Sequence, residues 1–293
     1  MRILNFGSIN IDHVYQVEHF VQPGETLAAA HYQQFCGGKG LNQSIALALA
    51  GAKVYHAGRV GRDGLHLCEQ LKAKKVMTDF ITIGEEPTGH AIIQVAASGE
   101  NCIITFGGAN HRIGPSEIDR VLNHFEAGDY LLVQNEISSV PYLIEKAAEI
   151  GMKIIFNPAP MKELANYPLE QVDYFIINEV EGAGLTGDKS PEAILETMSN
   201  NYPDAVTILT LGEKGVCWLD RNQIHYLPAV PVRVVDTTAA GDTFIGYFVS
   251  ELLKGVGLQQ SLELACKAAA LCVTRPGAAA SIPSRTEVEN FIN

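Results

Sequence analysis

The sequence predicts one α/β domain, a mostly parallel central sheet covered by helices on both faces, plus a small antiparallel β lid. Three observations lead there. Short β-branched and aromatic runs alternate with longer stretches rich in Ala, Leu, Glu and Lys, the rhythm of repeated βαβ units. Two segments break that rhythm with strand-like alternation and tight turns. The 293 residues, 47% hydrophobic and 18% charged, suffice for a sizeable core, and no internal repeat or low-complexity segment divides them, so residues 1–293 read as a single domain.

Main-sheet strands are expected at residues 2–7, 53–57, 130–134, 153–157, 174–178 and 206–211. Helices are expected at 41–50, 64–74, 141–150, 191–200, 242–254 and 259–274. Pro141 and Pro191 stand at early helical positions, where the missing N–H costs nothing. The lid comes from about 12–36 and 88–107. In the first stretch, segments 13–17 and 29–35 are separated by the turn Gln22-Pro23-Gly24-Glu25. In the second, 91–96 and 102–106 flank Ala97-Ser98-Gly99-Glu100. A flap beside an open sheet suits exclusion of water during chemistry. A plain edge sheet or a subunit contact would leave the same pattern.

Charge narrows the partners. With 33 acidic against 21 basic residues the net charge is −12. That disfavours nucleic acid and anionic membranes, both of which need Lys and Arg to neutralise phosphates. A phosphorylated small molecule stays compatible, because backbone N–H groups at a helix N-terminus hold phosphate whatever the global charge. Cysteines at 36, 68, 102, 217, 266 and 272 form no CxxC pair and no zinc-ligand spacing, so reduced, partly buried thiols are expected. The start, MRILNFGSINID, enters a strand at once without the regions of a signal peptide, and no apolar run reaches the ~18 residues of a membrane helix. A soluble, cytoplasmic protein is expected.

The segment Asp236-Thr237-Thr238-Ala239-Ala240-Gly241-Asp242-Thr243-Phe244 carries the chemistry. It follows the apolar run 230–235, read as a strand, and opens an amphipathic helix. Ala239, Ala240 and Gly241 lack bulk, so their backbone N–H groups can approach a ligand, and the helix macrodipole adds positive charge there. Such a corner suits a developing phosphoryl charge. Asp242 would stand beside it as a base. Taken alone, Asp242 reads as well as a helix cap.

The whole segment resembles the signature DTxGAGDxF of the ribokinase/phosphofructokinase-B carbohydrate kinase family, in which the fourth position is Gly or Ala. The resemblance runs along nearly the full chain. Gly7-Ser8-Ile9-Asn10-Ile11-Asp12 is similar to the family's first-strand motif, and Gly37-Gly38-Lys39-Gly40-Leu41-Asn42-Gln43 to its sugar-site motif. Asn157-Pro158-Ala159-Pro160, Asn178-Glu179-Val180-Glu181, Thr210-Leu211-Gly212-Glu213-Lys214-Gly215 and residues 274–281 follow in the family's order.

The resemblance implies a ribokinase-like fold and ATP-dependent phosphorylation of a pentose, D-ribose at O5. Asp242 would deprotonate the attacking hydroxyl, and the N–H groups of Ala239, Ala240, Gly241 and Asp242 would stabilise the transferring phosphoryl. Asn10, Asp12, Gly38, Lys39, Asn42 and Glu136 would bind sugar hydroxyls. That mix of donors and acceptors is what an uncharged polyol needs. Lys39 also reads as a surface charge. On the nucleotide side the resemblance places Asn178, Thr210, Leu211, Gly212, Glu213, Lys214, Gly215, Gly241 and Cys266 at ATP, with Glu181 near Mg²⁺ through water. It places a monovalent cation, K⁺, at Asp236, Thr238, Cys272, Arg275, Gly277 and Ser281. Arg275 reads equally as a charge favouring a helix C-terminus. It also implies a homodimer formed through the lid, which fits apolar side chains on both faces of 90–106.

Three positions depart from the family pattern. Cys266 replaces a frequent Asn or His near the adenine, Asn135 replaces Leu beside Glu136, and the stretch Gly58-Arg59-Val60-Gly61-Arg62-Asp63-Gly64 matches only as far as Asp63. Rival chemistries lack their marks: no GxxxxGK[ST], no GxGxxG after the first strand and no GxSxG occur. The alternatives carried forward are a kinase for a related sugar or nucleoside (deoxyribose, adenosine), and a catalytically silent sugar-binding relative.

Overall fold

The computed structural model describes residues 1–220 and 223–291. In chain order the elements are β1 (Ile3–Phe6), β2 (Asn10–Val17), β3 (His31–Gly37), α1 (Lys39–Leu49), β4 (Val54–Val60), α2 (Leu65–Ala73), β5 (Met77–Ile83), β6 (Gly89–Ala96), β7 (Asn101–Phe106), α3 (Pro115–Leu122) and β8 (Tyr130–Gln134). Then come α4 (Val140–Ile150), β9 (Lys153–Asn157), β10 (Tyr174–Asn178), α5 (Glu179–Thr186), α6 (Pro191–Asn201), β11 (Val206–Thr210), β12 (Val216–Asp220), β13 (Gln223–Leu227), α7 (Ala240–Leu253), α8 (Leu258–Cys272) and α9 (Arg285–Glu289).

The main sheet has nine strands in the order β13-β12-β11-β10-β9-β8-β1-β4-β5. All neighbours from β5 to β11 run parallel, and β12 and β13 add an antiparallel edge. Side chains alternate between two cores because successive residues of a strand face opposite sides. Ile3, Leu132, Ile155, Ile176 and Ile208 join the core under α1, α2, α7 and α8. Their neighbours Leu4, Leu131, Ile154, Phe175 and Leu209 join the core under α3, α4 and α6. Helices therefore cover both faces, as expected. Local chemistry starts and stops them: Ser190 caps α6 by accepting from Ala193 N, with Pro191 next in line, and α4 ends at Gly151 in the left-handed region (φ 87°).

The chain departs from β1 first towards β4 and β5, then returns to lay β8 on β1's other side. That reversal is the topological switch point, where open α/β sheets form a crevice at the strands' C-terminal ends. The lid leaves from the same place. Its order is β3-β2-β6-β7, with β2–β3 and β6–β7 antiparallel and the central β2–β6 pair parallel.

Two expectations need correction. The run 230–235 forms no strand: Pro231 lacks an N–H for a ladder, Val234 and Val235 are exposed, and the segment reaches Asp236 as extended chain outside both sheets. The sheet also contains β5, β12 and β13, which the sequence reading did not place.

Candidate active site

At the switch point, the turn after β1 meets the turn after β8. Ser8 Oγ donates to Glu136 Oε2, and the same oxygen accepts from Lys39 N at 3.0 Å. Asn10 opens β2 opposite Gly37 and Gly89, so the lid's first residue faces the start of α1. Gly38 holds φ 93°, which glycine adopts without strain, and a side chain there would meet Ser8 O and Asn10 N. Asn10 Oδ1 accepts from Asn110 Nδ2 at 2.7 Å. Burial, with Glu136 nearby, pushes the Asp12 carboxyl up to about 6.

The other half of the site is the start of α7. Ala239 is its N-cap, in the left-handed region (φ 60°), and Asp242 caps nothing. Its buried carboxylate instead accepts from Asn42 Nδ2 at 3.0 Å and Gln43 Nε2 at 2.9 Å, both on α1. Asn42 Oδ1 is buried without a protein partner, an open acceptor beside the base. Ala240 N bonds Thr237 O at 3.2 Å, so that amide is partly engaged by the turn. The Gly241 and Asp242 amides have no backbone acceptor among the described residues, as first-turn N–H groups do unless a ligand arrives. A Cβ at Gly241 would meet no atom within 4 Å. The space it would fill belongs to a cavity of about 240 Å³ lined by Lys39, Asn178, Glu181, Thr210 and 239–242.

Lys39 sits between the two halves. Burial works against its ammonium, but Asp242, Glu136 and Glu181 around it hold its proton affinity above the ordinary lysine value. Lys39 thus lines the cavity rather than standing on the open surface. Glu181 is raised chiefly by burial, which hydrogen bonds from Asn178 and the charge of Lys39 only partly offset. Asn178 and Glu181 form a reciprocal capping box on α5, with Glu181 N donating to Asn178 Oδ1 at 2.9 Å and Asn178 N donating to Glu181 Oε2 at 2.9 Å.

The structure separates the remaining nucleotide candidates. Thr210 lines the cavity, whereas Leu211 is buried in the core and 212–214 form a 3₁₀ turn closed by Gly215 (φ 103°). Cys266 lies in the core face of α8, its thiol pushed up to about 12 by burial, outside the cavity beside Asp242. The six cation candidates do converge. Asp236 accepts from Thr238 N at 2.9 Å and from Gly277 N at 2.8 Å, which keeps its carboxyl low despite burial. Cys272 Sγ meets Ser281 Oγ at 3.1 Å and Thr238 O at 3.8 Å. Arg275 turns its guanidinium to Glu287 at 2.6 Å, so only its backbone faces this loop pair.

Asn135 points away from the sugar side. It accepts from Tyr167 OH at 2.7 Å and donates to Pro160 O at 3.0 Å, contacts made from the turn that follows β8. Asp63, where the family match stops, accepts from Thr88 Oγ1 at 2.6 Å and so anchors the base of the lid. Sequence reasoning missed Ser8, Gln43, Asn110 and Gln134 as parts of the site. Ser8 and Gln43 lay inside quoted motifs without a role, and Asn110 lay in an unremarked Gly107-Gly108-Ala109-Asn110 run.

With the two halves in place, comparison with known proteins decides the family. The profile of the pfkB family carbohydrate kinases matches residues 2–285. The chain belongs to that family. The kinase is 36% identical to a ribokinase of Haemophilus influenzae over 98% of this chain and 96% of that one. Its structure is similar to a ribokinase of Cryptococcus neoformans in complex with ADP (TM-score 0.88, 34% identity, 99% of both chains). It is equally similar to a ribokinase of Arabidopsis thaliana complexed with ribose and ATP (TM-score 0.88, 30% identity, 99% of both chains). The fold is thus ribokinase-like and the activity that of an ATP-dependent sugar kinase.

Proposed function

We propose that this kinase transfers the γ-phosphoryl group of ATP to O5 of D-ribose, giving ribose 5-phosphate and ADP. The observation that carries the reading is Asp242: a buried carboxylate between an acceptor-and-donor sugar side and the bare amides of Gly241. In the reaction O5 attacks the γ-phosphorus, its proton passes to Asp242, and the bond to the β-γ bridging oxygen breaks. The Gly241 and Asp242 N–H groups and the α7 dipole hold the charge that spreads over the phosphoryl oxygens. Lys39, adjacent to both halves, adds a cation that its three acidic neighbours keep protonated.

Asn10, Asp12, Gly38, Asn42 and Glu136 are assigned to the sugar hydroxyls, supported by the free acceptor at Asn42 and the paired carboxyls of Asp12 and Glu136. Mg²⁺ fits Glu181 through water, because the buried carboxylate lines the cavity beside Asn178. Bound to the phosphates, Mg²⁺ neutralises the β- and γ-oxygens. A monovalent cation such as K⁺ fits the 236–238 and 272–281 loop pair, which Asp236 and Cys272 tie together next to Ala239. ATP chemistry and five buried free thiols support a cytoplasmic setting.

The test is a substrate panel with ATP. Ribose kcat/KM should exceed that of 2-deoxyribose, fructose and adenosine by at least about tenfold, since each unpaired buried acceptor costs affinity. Parity with deoxyribose or adenosine would remove ribose as the substrate.

Sugar affinity should also follow Asp12. Burial, with Glu136 nearby, pushes its carboxyl up to about 6, so below that pH it loses the charge that makes it a strong acceptor for a hydroxyl. Calorimetry should show ribose binding about tenfold weaker one pH unit below that value. In Asp12→Asn the pH dependence should vanish along with much of the affinity. A wild-type profile that is flat between pH 5 and 7 counts against the assignment.

The lid supports a homodimer. Ile104 and Phe106 on β7 are 63% and 52% exposed, and Ile92 and Tyr32 extend the apolar surface on the same face, with Ile103 exposed on the other. Light scattering at micromolar concentration should give twice the 31.7 kDa chain mass. Ile104→Lys should shift the mass to that of the monomer.

A further inference from the structure

A chain of buried hydrogen bonds, with donors diverging from Gln134, ends on the candidate base. It starts at a group that can only accept, the Gly40 carbonyl. Asn5 Nδ2 donates to it at 2.8 Å and to Ser44 Oγ at 2.8 Å, which leaves Asn5 Oδ1 as the acceptor on the other side. Gln134 Nε2 donates to that oxygen at 2.9 Å and to Gln43 Oε1 at 2.6 Å. The Gln43 amide group is thereby turned so that Nε2 faces Asp242 Oδ1 at 2.9 Å. A second backbone anchor agrees: Asn157 Nδ2 donates to Ile176 O at 2.9 Å, so Asn157 Oδ1 accepts from Gln43 Nε2 at 3.2 Å. Reversing any one amide would bring two donors or two acceptors face to face.

Asn5, Gln43, Ser44 and Gln134 are all fully buried. The chain runs from β1 through β8 to α1, and none of these side chains is assigned to the sugar or to ATP. Gln134 Oε1 is left without a partner so that both of its amide hydrogens point along the chain. A polar cluster serving the core alone would pair that oxygen, since buried polar groups rarely stay unmet.

We propose that Gln43 is a positioning residue for Asp242, oriented by Gln134 and Asn5. The proposal rests on Asp242 being the base. Asn42 and Gln43 meet its two oxygens with one N–H donor each, an arrangement in which the ionised carboxylate accepts on both oxygens at once. Donors of this kind favour the charged carboxylate and lock its plane.

The experiment compares pH profiles of kcat, at saturating ribose and ATP so that the titration of Asp12 in the free protein does not enter, for Gln43→Met, Gln134→Met and Asp242→Asn. Gln43→Met should lose kcat by about 10²-fold through misplacement of the base, with ribose KM within about threefold. Its acidic limb should move to higher pH, because the ionised form loses a donor. Gln134→Met, two residues removed from the sugar, should lose about tenfold in kcat and shift the limb in the same direction, as Gln43 becomes free to turn. A role confined to stability would lower the melting temperature of both variants and leave the limb in place.

A wild-type limb and kcat in Gln43→Met overturn the proposal. If Gln43→Met does not fold, an unshifted limb in Gln134→Met overturns it. If Asp242→Asn keeps full activity, the reading of the base falls; if that variant is inactive while both Gln variants behave as wild type, only the positioning chain falls.

Discussion

Asp242→Asn should lower kcat by about 10²–10⁴-fold, the usual worth of a general base, and leave ribose binding within about threefold. The argument is geometric. The carboxylate is buried, makes no cap on α7, and accepts from Asn42 at 3.0 Å and Gln43 at 2.9 Å. An Asn in its place keeps the volume and one acceptor oxygen, but an amide oxygen is far too weakly basic to take up the proton. Its amide hydrogens would face one of the two donors, so one of the hydrogen bonds is lost. Lys39 keeps Glu136 and Glu181 as neighbours and stays charged, which limits the disturbance to the base itself. Stopped-flow or coupled-assay kcat alongside ribose calorimetry reads the two effects separately. An unchanged kcat removes Asp242 from proton transfer, and equal loss of binding and turnover makes it a binding residue only.

Much of this arrangement was readable before any coordinates, and the reasons differ by element. Strands at 130–134, 153–157 and 174–178 coincide residue for residue with the expectation, because central parallel strands are buried on both faces and leave short continuous apolar runs. β5 escaped notice because it lies at the sheet edge, where Met77-Thr78-Asp79 mixes exposed and apolar positions. The β12–β13 pair was missed because no Asn-Gly or Asp-Gly signal occurs in the sequence between its two strands. The Ala239–Asp242 corner announced itself through small residues before an amphipathic helix. The strand expected to feed it did not form, yet the corner stands, since the turn's own Thr237 O and Ala239 O bonds close it. The Gln43–Gln134–Asn5 chain had no local signal at all. It exists only where β1, β8 and α1 meet, through pairs separated by 91 and 129 residues in sequence.

That meeting of elements also makes a single methyl group consequential. Gly246→Ala should lower kcat by on the order of 10²-fold and destabilise the fold by about 1–3 kcal/mol, although nothing at 246 touches a substrate. α1 and α7 cross with Gly246 against Ala46. A Cβ at 246 would lie 2.3 Å from Ala46 Cβ and 2.7 Å from Leu47 N, and the backbone there cannot turn aside. The helices must then separate, against a helix-propensity gain for Ala over Gly of only about 1 kcal/mol. On α7 the clash lies one turn beyond Asp242, and on α1 one turn beyond Asn42. Moving the helices apart by about 1 Å would carry both hydrogen bonds to Asp242 out of range. Ala46→Gly in the same chain should restore part of the loss by removing the closest atom. Thermal melting and kcat should fall together in the single variant and recover together in the double; a kcat that stays whole while stability drops would mean that the base does not depend on the α1–α7 contact.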